Sequence, residues 1–455
     1  MRRHKGVFCL AIFCALAAAQ PKQAPPPGSA PKPFVVPPRE TFTLKNGMKV
    51  TLVQYGAIPV TTLSARIAFG NANEAANQVW LADLLCALMK EGAGTRNGVQ
   101  VAEEAARMGG QLEVAARPDY SVANLQVLSE FAPDAVRLLA DVLERPTLPA
   151  SELERLRTDM LRRLSVELSQ PQSLADQAFA KALYGEHPYG RLFPTEMMLK
   201  GYAIDDVRKF YQANLGAHRT HLYVVGRFDP GLKKTITQAF ESWVAGPEVV
   251  RDPPKATAKK QFVLIDRPNA EQSTLRIGLP VSAIPTSRDA IPLSVADGIL
   301  GSSFGSRITA NIREQKGYTY SPQSVLVNRY HTSSWAEYAD VTTKSTADSI
   351  KEILYEIDRM RKEAPSEQEL KGIQNYMSGI FVLRNSSNSG IIGQLAFVDT
   401  QGLGDDYLKT YVQKVNSVTR QDLQRVAETY LDPGKMALVV VGDKAKIEDS
   451  LKPYR

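Results

Sequence analysis

The chain contains two copies of one pattern at a constant separation. A helical stretch that includes Val207 and Leu215 leads to an apolar strand ending in Val-Val-Gly at Gly226. The same succession recurs with Leu423 and Leu431 in the helix, and each residue of the second copy lies 216 positions after its counterpart. Solenoid repeats span only about 20–50 residues. The pattern therefore predicts a duplicated fold with two similar halves.

Each predicted half begins with strands, continues with helices and ends with a strand. Alternating apolar residues on both sides of Asn46 and Gly47 are typical of a β-hairpin with a tight primed turn. Leucines between Leu81 and Leu88 follow the i, i+3, i+4, i+7 spacing of a buried helix face. This order favours an α+β fold, with a mostly antiparallel sheet covered by helices in each half.

Periodicity and turn residues predict further elements. These are strands at 60–69, 114–128 and 221–225, and helices at 97–108, 132–144, 151–169 and 205–215. Prolines and lysines interrupt the pattern near residues 246–260. We expect an N-terminal half at 39–246 and a C-terminal half at 260–455.

The N-terminus has the composition of a cleavable secretory signal. Basic Arg2, Arg3 and Lys5 precede an apolar run of 13 residues that ends in three alanines. This run is shorter than the roughly 20 residues that span a bilayer. We predict a signal peptide over 1–19, with retention as a membrane anchor as the alternative. The proline-rich residues 20–38 predict an extended linker.

The composition left after cleavage limits the compartment and the partners. Cys9 and Cys14 are removed, so Cys86 remains without a partner for an internal disulfide, and we expect a small buried side chain there. We predict a periplasmic or secreted protein with no stable membrane span. The formal charge falls from +7 to +4 because three basic residues are lost. No basic run is interleaved with aromatic residues, which argues against nucleic acid as a partner.

The segment from Leu81 to Thr95 resembles the signature helix of the insulinase/pitrilysin zinc peptidases, the inverzincins, in which H-x-x-E-H is followed shortly by Gly-Thr. In that family, two histidines at i and i+4 bind zinc and the glutamate acts as the base on the metal-bound water. The corresponding positions here are Asp83, Cys86 and Ala87.

The third ligand of that family is a glutamate eight residues before a proline. Counting back from Pro171 reaches Arg163. The resemblance therefore implies that this chain carries no zinc of its own. Asp83 and Cys86, at i and i+3, are a possible metal pair, but two ligands without histidine are too few for a zinc site.

The resemblance extends over about 400 residues. Three further segments are similar to family motifs in the expected order: 184–190 to H-P-Y-G, 300–307 to a glycine-rich stretch, and 313–321 to R-E-K-x-G-x-x-Y-S. Family members contain two homologous halves that form one side of a clam-like chamber. The resemblance implies the same architecture here.

Arg313 and Tyr320 keep the seven-residue spacing of an arginine and a tyrosine that family enzymes use to hold the substrate backbone. A guanidinium and a phenol are fixed donors suited to a carbonyl that becomes an oxyanion. The alternative is that Arg313 forms a surface ion pair with Glu314 or another acid, and that Tyr320 packs in the sheet.

Two other motifs suggest different chemistry. Residues 301–305 fit G-x-S-x-G, but that nucleophile motif follows a strand, whereas 290–300 predicts a helix. His218 and His221 have the spacing of metal ligands, but the first lies in a predicted turn and the second opens a strand. We expect these two histidines to cap and pack, and His187 to order the loop beside Pro188.

The resemblance leads to two functional hypotheses. In the mitochondrial processing peptidase, a family member with separate subunits, one subunit binds zinc and a homologous one lacks it. By analogy, this chain is a zinc-less subunit that binds peptide and supplies Arg313 and Tyr320 to a homologous H-x-x-E-H partner, which carries the zinc. Alternatively, it is a non-catalytic scaffold or peptide-binding protein with no proteolytic complex, like the core proteins of respiratory complexes.

Overall fold

The computed structural model describes residues 35–256, 258–404 and 406–455. The predicted signal peptide and the predicted linker up to residue 34 lie outside these ranges. Residues 35–38 have no regular secondary structure, and the first strand begins at Arg39. Within the described ranges, no helix is long and apolar enough to cross a membrane.

The first half contributes the elements up to residue 240. Its strands are β1 (Arg39–Thr43), β2 (Lys49–Gln54), β3 (Val60–Ile67), β4 (Gly92–Ala93), β5 (Arg96–Asn97), β6 (Glu113–Ala116), β7 (Ser121–Leu128) and β8 (Thr220–Gly226). Its helices are α1 (Leu81–Leu88), α2 (Gly98–Arg107), α3 (Ala132–Glu144), α4 (Leu153–Ser169), α5 (Pro171–Tyr184), α6 (Glu196–Gly201), α7 (Ile204–Asn214) and α8 (Leu232–Phe240). The predicted helices and strands of this half are present, and most of their ends lie within two residues of the predicted ones.

The second half contributes the elements from residue 261 onward. Its strands are β9 (Gln261–Asp266), β10 (Gln272–Val281), β11 (Gln323–Arg329), β12 (Thr332–Thr342) and β13 (Ala437–Gly442). Its helices are α9 (Ala290–Asp297), α10 (Thr346–Lys362), α11 (Glu367–Arg384), α12 (Asn388–Thr400), α13 (Asp406–Ser417), α14 (Arg420–Tyr430) and α15 (Lys444–Ile447). Two π-helical segments, Gly298–Ser302 and Thr309–Gln315, follow α9.

The two large sheets share one strand order, except that the first has β1 as an additional edge strand. The first is β1-β2-β8-β3-β7-β6, and the second, read in the same sense, is β9-β13-β10-β12-β11. Each contains one parallel pair, β2 with β8 and β9 with β13, and its other neighbours are antiparallel. Helix α7 and strand β8 recur as α14 and β13 at the predicted offset. The predicted α+β fold with two similar, mostly antiparallel halves is therefore confirmed.

The first hairpin has a different turn from the predicted one. The N–H of Gly47 donates to the carbonyl of Leu44, and of the turn residues Gly47 alone has a positive φ, of 88°. A type I′ turn needs positive φ at both central residues, so the predicted primed turn is wrong. The Asn46 side chain instead donates to the carbonyls of Phe240 and Trp243 at 2.7 and 2.9 Å, which ties the turn to the end of α8.

Helix α5 of the first half covers one face of the second sheet. Its buried Ala175, Phe179 and Leu183 form a core cluster with residues of β13 and β12, including Val439 and Val441.

An ion pair also joins α5 to the second sheet. Arg276 on β10 is buried, and its Nε lies 2.6 Å from a carboxylate oxygen of Asp176 on α5. Apolar and charged contacts both cross between the halves here.

Helix α12 of the second half makes the reciprocal crossing. It packs on β3 and β8 of the first sheet. Asp399 of α12 accepts a hydrogen bond from the Tyr223 hydroxyl and lies 3.3 Å from Nδ1 of His221. Asn388, at the start of α12, donates to Thr62 on β3 at 3.2 Å. Each half therefore supplies a helix that completes the core of the other.

Two acidic side chains are buried in the second half. Asp297 accepts hydrogen bonds from the Ser324 hydroxyl at 2.5 Å and from the Trp335 indole at 2.6 Å. Glu337 on β12 is fully buried, and among the described residues its carboxyl oxygens have no hydrogen-bond partner within 3.5 Å, although the backbone of Gln323 lies near enough to oppose the effect of burial. Burial, reinforced by the nearby negative charge of Asp297, raises the pKa of Glu337 well above its usual value. Glu337 is therefore held in its neutral form.

We expect Glu337→Gln to reduce the loss of stability with rising pH. Because the folded-state pKa of Glu337 lies above its unfolded value of 4.5, its contribution to stability is complete below that pH and is lost as the pH rises towards the folded-state pKa. Denaturant unfolding at about pH 4 and pH 8 should give similar free energies for both proteins at the lower pH and a higher value for the variant at the upper pH. Glu363→Gln, an exposed match, should behave like the wild type. Equal pH dependence of Glu337→Gln and wild type would contradict the argument.

Candidate functional site

Helix α1 carries the positions at which the resemblance places two zinc ligands and the base. Asp83 lies in its first turn, and its carboxylate accepts hydrogen bonds from Asn71 Nδ2 at 2.8 Å and from Arg163 Nη1 at 3.0 Å. Arg163, on α4, occupies the position of the third ligand. The fold thus brings two of the predicted ligand positions into contact, and an ion pair joins them.

The guanidinium of Arg163 is also held by an aromatic ring. Its Cζ lies 4.2 Å from the ring centroid of Trp80, the residue before α1. The Trp80 indole donates to the carbonyl of Leu192 at 2.9 Å, which fixes the ring. A cation over an indole contributes about 0.5–1 kcal/mol at a partly exposed position. Arg163 therefore provides a fixed positive charge, but it offers no coordination position for an activated water.

Of the other two motif positions, Cys86 faces the protein interior and Ala87 is half-buried. Cys86 is buried, and its thiol lies 3.7 Å from the Ser121 hydroxyl on β7. Burial raises the pKa of Cys86 to about 12, so the thiol stays neutral at neutral pH, whereas a metal ligand would be a thiolate. Ala87 packs against the same core. Asp83 and Cys86 have separate partners, as expected for a small buried cysteine.

This set of side chains does not fit a catalytic zinc ion. It contains one carboxylate already paired with a guanidinium, a protonated thiol and an alanine, whereas a catalytic zinc takes three ligands, each a thiolate, a carboxylate or an unprotonated histidine. Among the residues that the structure describes, no group of three or more His, Cys, Asp and Glu side chains could hold a metal ion.

Glu74 is a part of this site that the sequence reasoning missed. Its carboxylate oxygens accept from the backbone N–H of Ala82 at 2.8 Å and of Trp80 at 3.1 Å. It thereby caps the start of α1, where Trp80 has a left-handed φ of 69°. Burial raises the pKa of Glu74 to about 8, against the lowering effect of these donors. Glu74 lies seven residues before Leu81, outside the N-cap and first-turn positions at which a sequence signals a helix start.

The H-P-Y-G segment lies beside the same site. The Nδ1 of His187 accepts from the N–H of Tyr189 at 3.2 Å, and its Nε2 donates to the carbonyl of Asp252 at 2.8 Å. His187 thus orders its loop, as predicted. Tyr189 is buried, and its hydroxyl donates to Asp119.

Arg313 and Tyr320 lie side by side in the second half. The Cζ of Arg313 is 5.0 Å from the Tyr320 ring centroid and 4.5 Å from that of Phe304, in the glycine-rich stretch. Tyr320 is 80% exposed, so it does not pack in the sheet. Arg313 Nε lies 3.2 Å from Glu314, which is the surface ion pair of the alternative interpretation. The ring of Tyr320, with the Arg313 guanidinium beside it, is therefore accessible to a binding partner.

The Arg313–Tyr320 pair lies far from the α1 site of its own chain. Thr319 pairs with Val341 near one end of β12, whereas Arg329, which borders the α1 site, pairs with Thr332 at the other end. Nine residues of strand span about 30 Å. The chain therefore does not bring its two sets of predicted site residues together.

The other motifs have structural roles. The G-x-S-x-G segment begins inside the π-helical segment that follows α9, not after a strand, so it is not a nucleophile elbow. His218 lies in a short 3₁₀ turn against the carbonyl of Ala245, and His221 lies near the start of β8, 2.8 Å from the Thr51 hydroxyl. Burial lowers the pKa of His221 to about 4. The two histidines have different partners, and His221 packs against the first sheet, as predicted.

Two sequence profiles of one peptidase family match the chain. The profile of "Insulinase (Peptidase family M16)" matches residues 50–193, and that of "Peptidase M16 inactive domain" matches residues 203–377. Together they cover well over half of the chain. The chain belongs to the insulinase, or M16, peptidase family. The second profile begins at residue 203, just before α7 of the first half. Its match therefore starts inside the first half and not at the boundary between the two sheets.

Relatives of the chain carry different descriptions. It is 23% identical to the "Uncharacterized zinc protease YmxG" of Bacillus subtilis, over 84% of this chain and 94% of that one. It is 22% identical to the "Non-peptidase homolog YmxG" of Helicobacter pylori, over 81% of this chain and 86% of that one. With its altered metal positions, this chain is a peptidase-like member of the family.

Solved structures show the same fold. A peptidase M16 inactive domain from Pseudomonas fluorescens matches with a TM-score of 0.79 at 22% identity, over 89% of this chain and 98% of that one. A protease from Helicobacter pylori matches with a TM-score of 0.83 at 19% identity, over 90% and 100%. These similarities establish the architecture.

We expect the combined change Asp83→His, Ala87→His and Arg163→Glu to create a zinc site. The contact between positions 83 and 163 places a histidine and a glutamate within reach of one ion, and position 87 lies one turn further along α1. After dialysis, elemental analysis should find about one zinc per variant chain and none per wild-type chain. Asp83→His alone, the control, should retain none. A folded triple variant without zinc would show that α1 and α4 are not spaced for a metal.

Proposed function

We propose that this protein is the zinc-less subunit of an exported insulinase-family peptidase. In this role it binds peptide and completes the active site of a homologous H-x-x-E-H partner. The observation that carries the proposal is an asymmetry. An Asp83–Arg163 ion pair occupies the metal positions, while Arg313 and Tyr320 remain adjacent and accessible.

The chemistry of Arg313 and Tyr320 suits such a role. Zinc in the partner would activate the attacking water. From this chain, the guanidinium and the phenol would donate hydrogen bonds to the peptide carbonyl oxygen, whose negative charge grows as the bond is attacked. The distance of about 30 Å along β12 between this pair and the α1 site of the same chain supports action on a different chain.

A second candidate function is a scaffold or peptide-binding protein with no proteolytic complex. The contact between Arg313 and Glu314 favours it, because a guanidinium already paired with a carboxylate has fewer donors for a substrate. Arg313 is half-buried and Glu314 is exposed, with side-chain exposures of 24% and 60%, and ion pairs at the protein surface contribute only about 0–1 kcal/mol. A peptide carbonyl inside a closed site can therefore compete with this ion pair.

Co-expression with the most similar H-x-x-E-H chain from the same organism tests the proposal. Cleavage of a quenched fluorescent peptide should require both chains. It should fall by about a hundredfold on Arg313→Ala and by about tenfold or more on Tyr320→Phe, because each change removes a donor to the developing oxyanion. The effect should lie in kcat more than in KM.

Matched substitutions separate this effect from a general loss of charge or hydroxyl. Arg288→Ala and Tyr355→Phe alter exposed residues elsewhere in the second half and should leave cleavage unchanged. If the zinc chain cleaves equally well alone, and Arg313→Ala changes nothing, the shared site is wrong and the scaffold function takes its place.

We further propose export to the periplasm or outside the cell, on the strength of the N-terminal sequence. The expressed protein should begin at Gln20 by intact mass, because small residues at 17 and 19 suit signal cleavage. Ala17→Lys combined with Ala19→Lys should leave the chain uncleaved and membrane-associated. A wild-type chain that keeps residues 1–19 in the membrane fraction would favour the retained anchor.

A further inference from the structure

A small pocket borders the Asp83–Arg163 ion pair. Its volume is about 260 Å³, and it is also lined by the aromatic rings of Trp80 and Tyr189. Arg329, at the end of β11, contributes one wall from the second half. Sites for drug-sized ligands occupy about 300–1,000 Å³. The pocket is therefore of a size for one side chain or one terminus of a peptide.

The charge of the pocket is positive. Four guanidinium groups line it, those of Arg117, Arg163, Arg191 and Arg329. Two carboxyl groups line it as well, those of Glu74 and Asp83. Even with both carboxyl groups ionised, the lining has two more positive than negative charges, and the pairing of Arg117 with Glu113 reduces this excess to one. An anionic group is the ligand that this excess would attract.

Two of the four arginines, Arg191 and Arg329, form no ion pair within 4 Å among the described residues, although Arg191 lies near enough to Glu186 to lower the pKa of that carboxyl. Arg329 lies over the Tyr189 ring, with its Cζ 5.0 Å from the centroid. Arg191 donates from Nη2 to the carbonyl oxygen of Glu74 at 3.0 Å, and its buried Nε has no hydrogen-bond partner. In contrast, Arg117 and Arg163 are paired with carboxylates. Two guanidinium groups therefore retain donors for a ligand.

We propose that this pocket binds a carboxylate of a peptide, either its C-terminus or an aspartate or glutamate side chain. Guanidinium groups hold carboxylates through two parallel hydrogen bonds, and stacking on a ring leaves the donor edge of Arg329 available. The aromatic wall suits the apolar part of the adjoining residue. The inference rests on the proposed function, since it names the peptide group that this chain holds, and it places that group where the family carries its metal.

Binding of defined peptides to the mature chain alone tests the inference. The probe is tetra-alanine carrying an uncharged coumarin, with either a free C-terminal carboxylate or a C-terminal amide. Fluorescence anisotropy should show about tenfold or greater preference for the acid, the difference that one charged hydrogen-bonded pair makes. An amidated peptide with a central aspartate, compared with its asparagine match, distinguishes a side-chain source from the terminus. Equal binding of acid and amide, and of aspartate and asparagine, would overturn the inference.

Substitutions locate the binding. Arg329→Gln and Arg191→Gln should each weaken the acid-bearing probe about tenfold, whereas Arg288→Gln should not. Arg191 also supports a backbone carbonyl, so circular dichroism must show that its variant is folded. If the Arg191 variant is unfolded, Arg329→Gln still tests the proposal, because the Arg329 side chain stacks on Tyr189 and supports no backbone group among the described residues. Unchanged binding of the acid-bearing probe by Arg329→Gln would reject a peptide carboxylate site. So would displacement of that probe by inorganic phosphate at lower concentrations than by acetate.

The two proposals fail separately. Cleavage by the co-expressed pair that depends on Arg313, without any preference for acidic probes, would keep the subunit function and reject the carboxylate pocket. Binding of the acid by the isolated chain, without cleavage in any combination, would keep the pocket and reject the subunit function.

Discussion

The exchange of helices between the halves is the contact on which the rest of the structure depends. A sheet whose strands are apolar on both faces is stable only when both faces are covered. In each half, the local helices cover one face, and the other face is covered by α5 or α12 from the opposite half. The Asp176–Arg276 and Asp399–His221 contacts fix both crossings. Because α5 follows α4 directly, this exchange also sets the position of α4, and therefore of Arg163.

The α1 site shows how a metal centre is replaced without loss of the helix pair around it. In a zinc enzyme of this family, the ion links the helix of the motif to a later helix. Here Asp83 and Arg163 make that link, with Asn71 and the Trp80 ring as further support. A guanidinium and a carboxylate satisfy each other electrostatically, so the site is chemically complete and has no position for an activated water. The remaining positive charge near the α1 site comes from Arg191 and Arg329, which belong neither to the α1 motif nor to the segment of Arg313 and Tyr320.

Local patterns predicted much of this fold. The duplication, the α1 face and the α7–β8 and α14–β13 units follow from spacing along the chain, because a periodic run decides its own secondary structure. The primed turn at Asn46 was wrong because the tertiary contact of its side chain with the end of α8 outweighed the local preference of Asn-Gly. The helix exchange could not be predicted, since it joins residues about a hundred apart or more and no local signal says which sheet a helix covers.

The site was predictable residue by residue but not as an arrangement. Asp83 and Arg163 were both identified as altered ligand positions, but their ion pair joins residues 80 positions apart. Glu74 was missed because its role depends on the left-handed Trp80, which a sequence does not reveal. The stacking of Arg313 between Phe304 and Tyr320 joins two segments that were each identified separately.

The Asp83–Arg163 pair also bears on the history of the chain. A single reversion at either position breaks the ion pair before any metal can be held: a histidine at 83 would face a guanidinium, and a glutamate at 163 would face another carboxylate. Both intermediates leave a charge unpaired beside a helix end. A metal site at these positions would therefore require changes at 83 and 163 together, since neither change alone gives a stable intermediate.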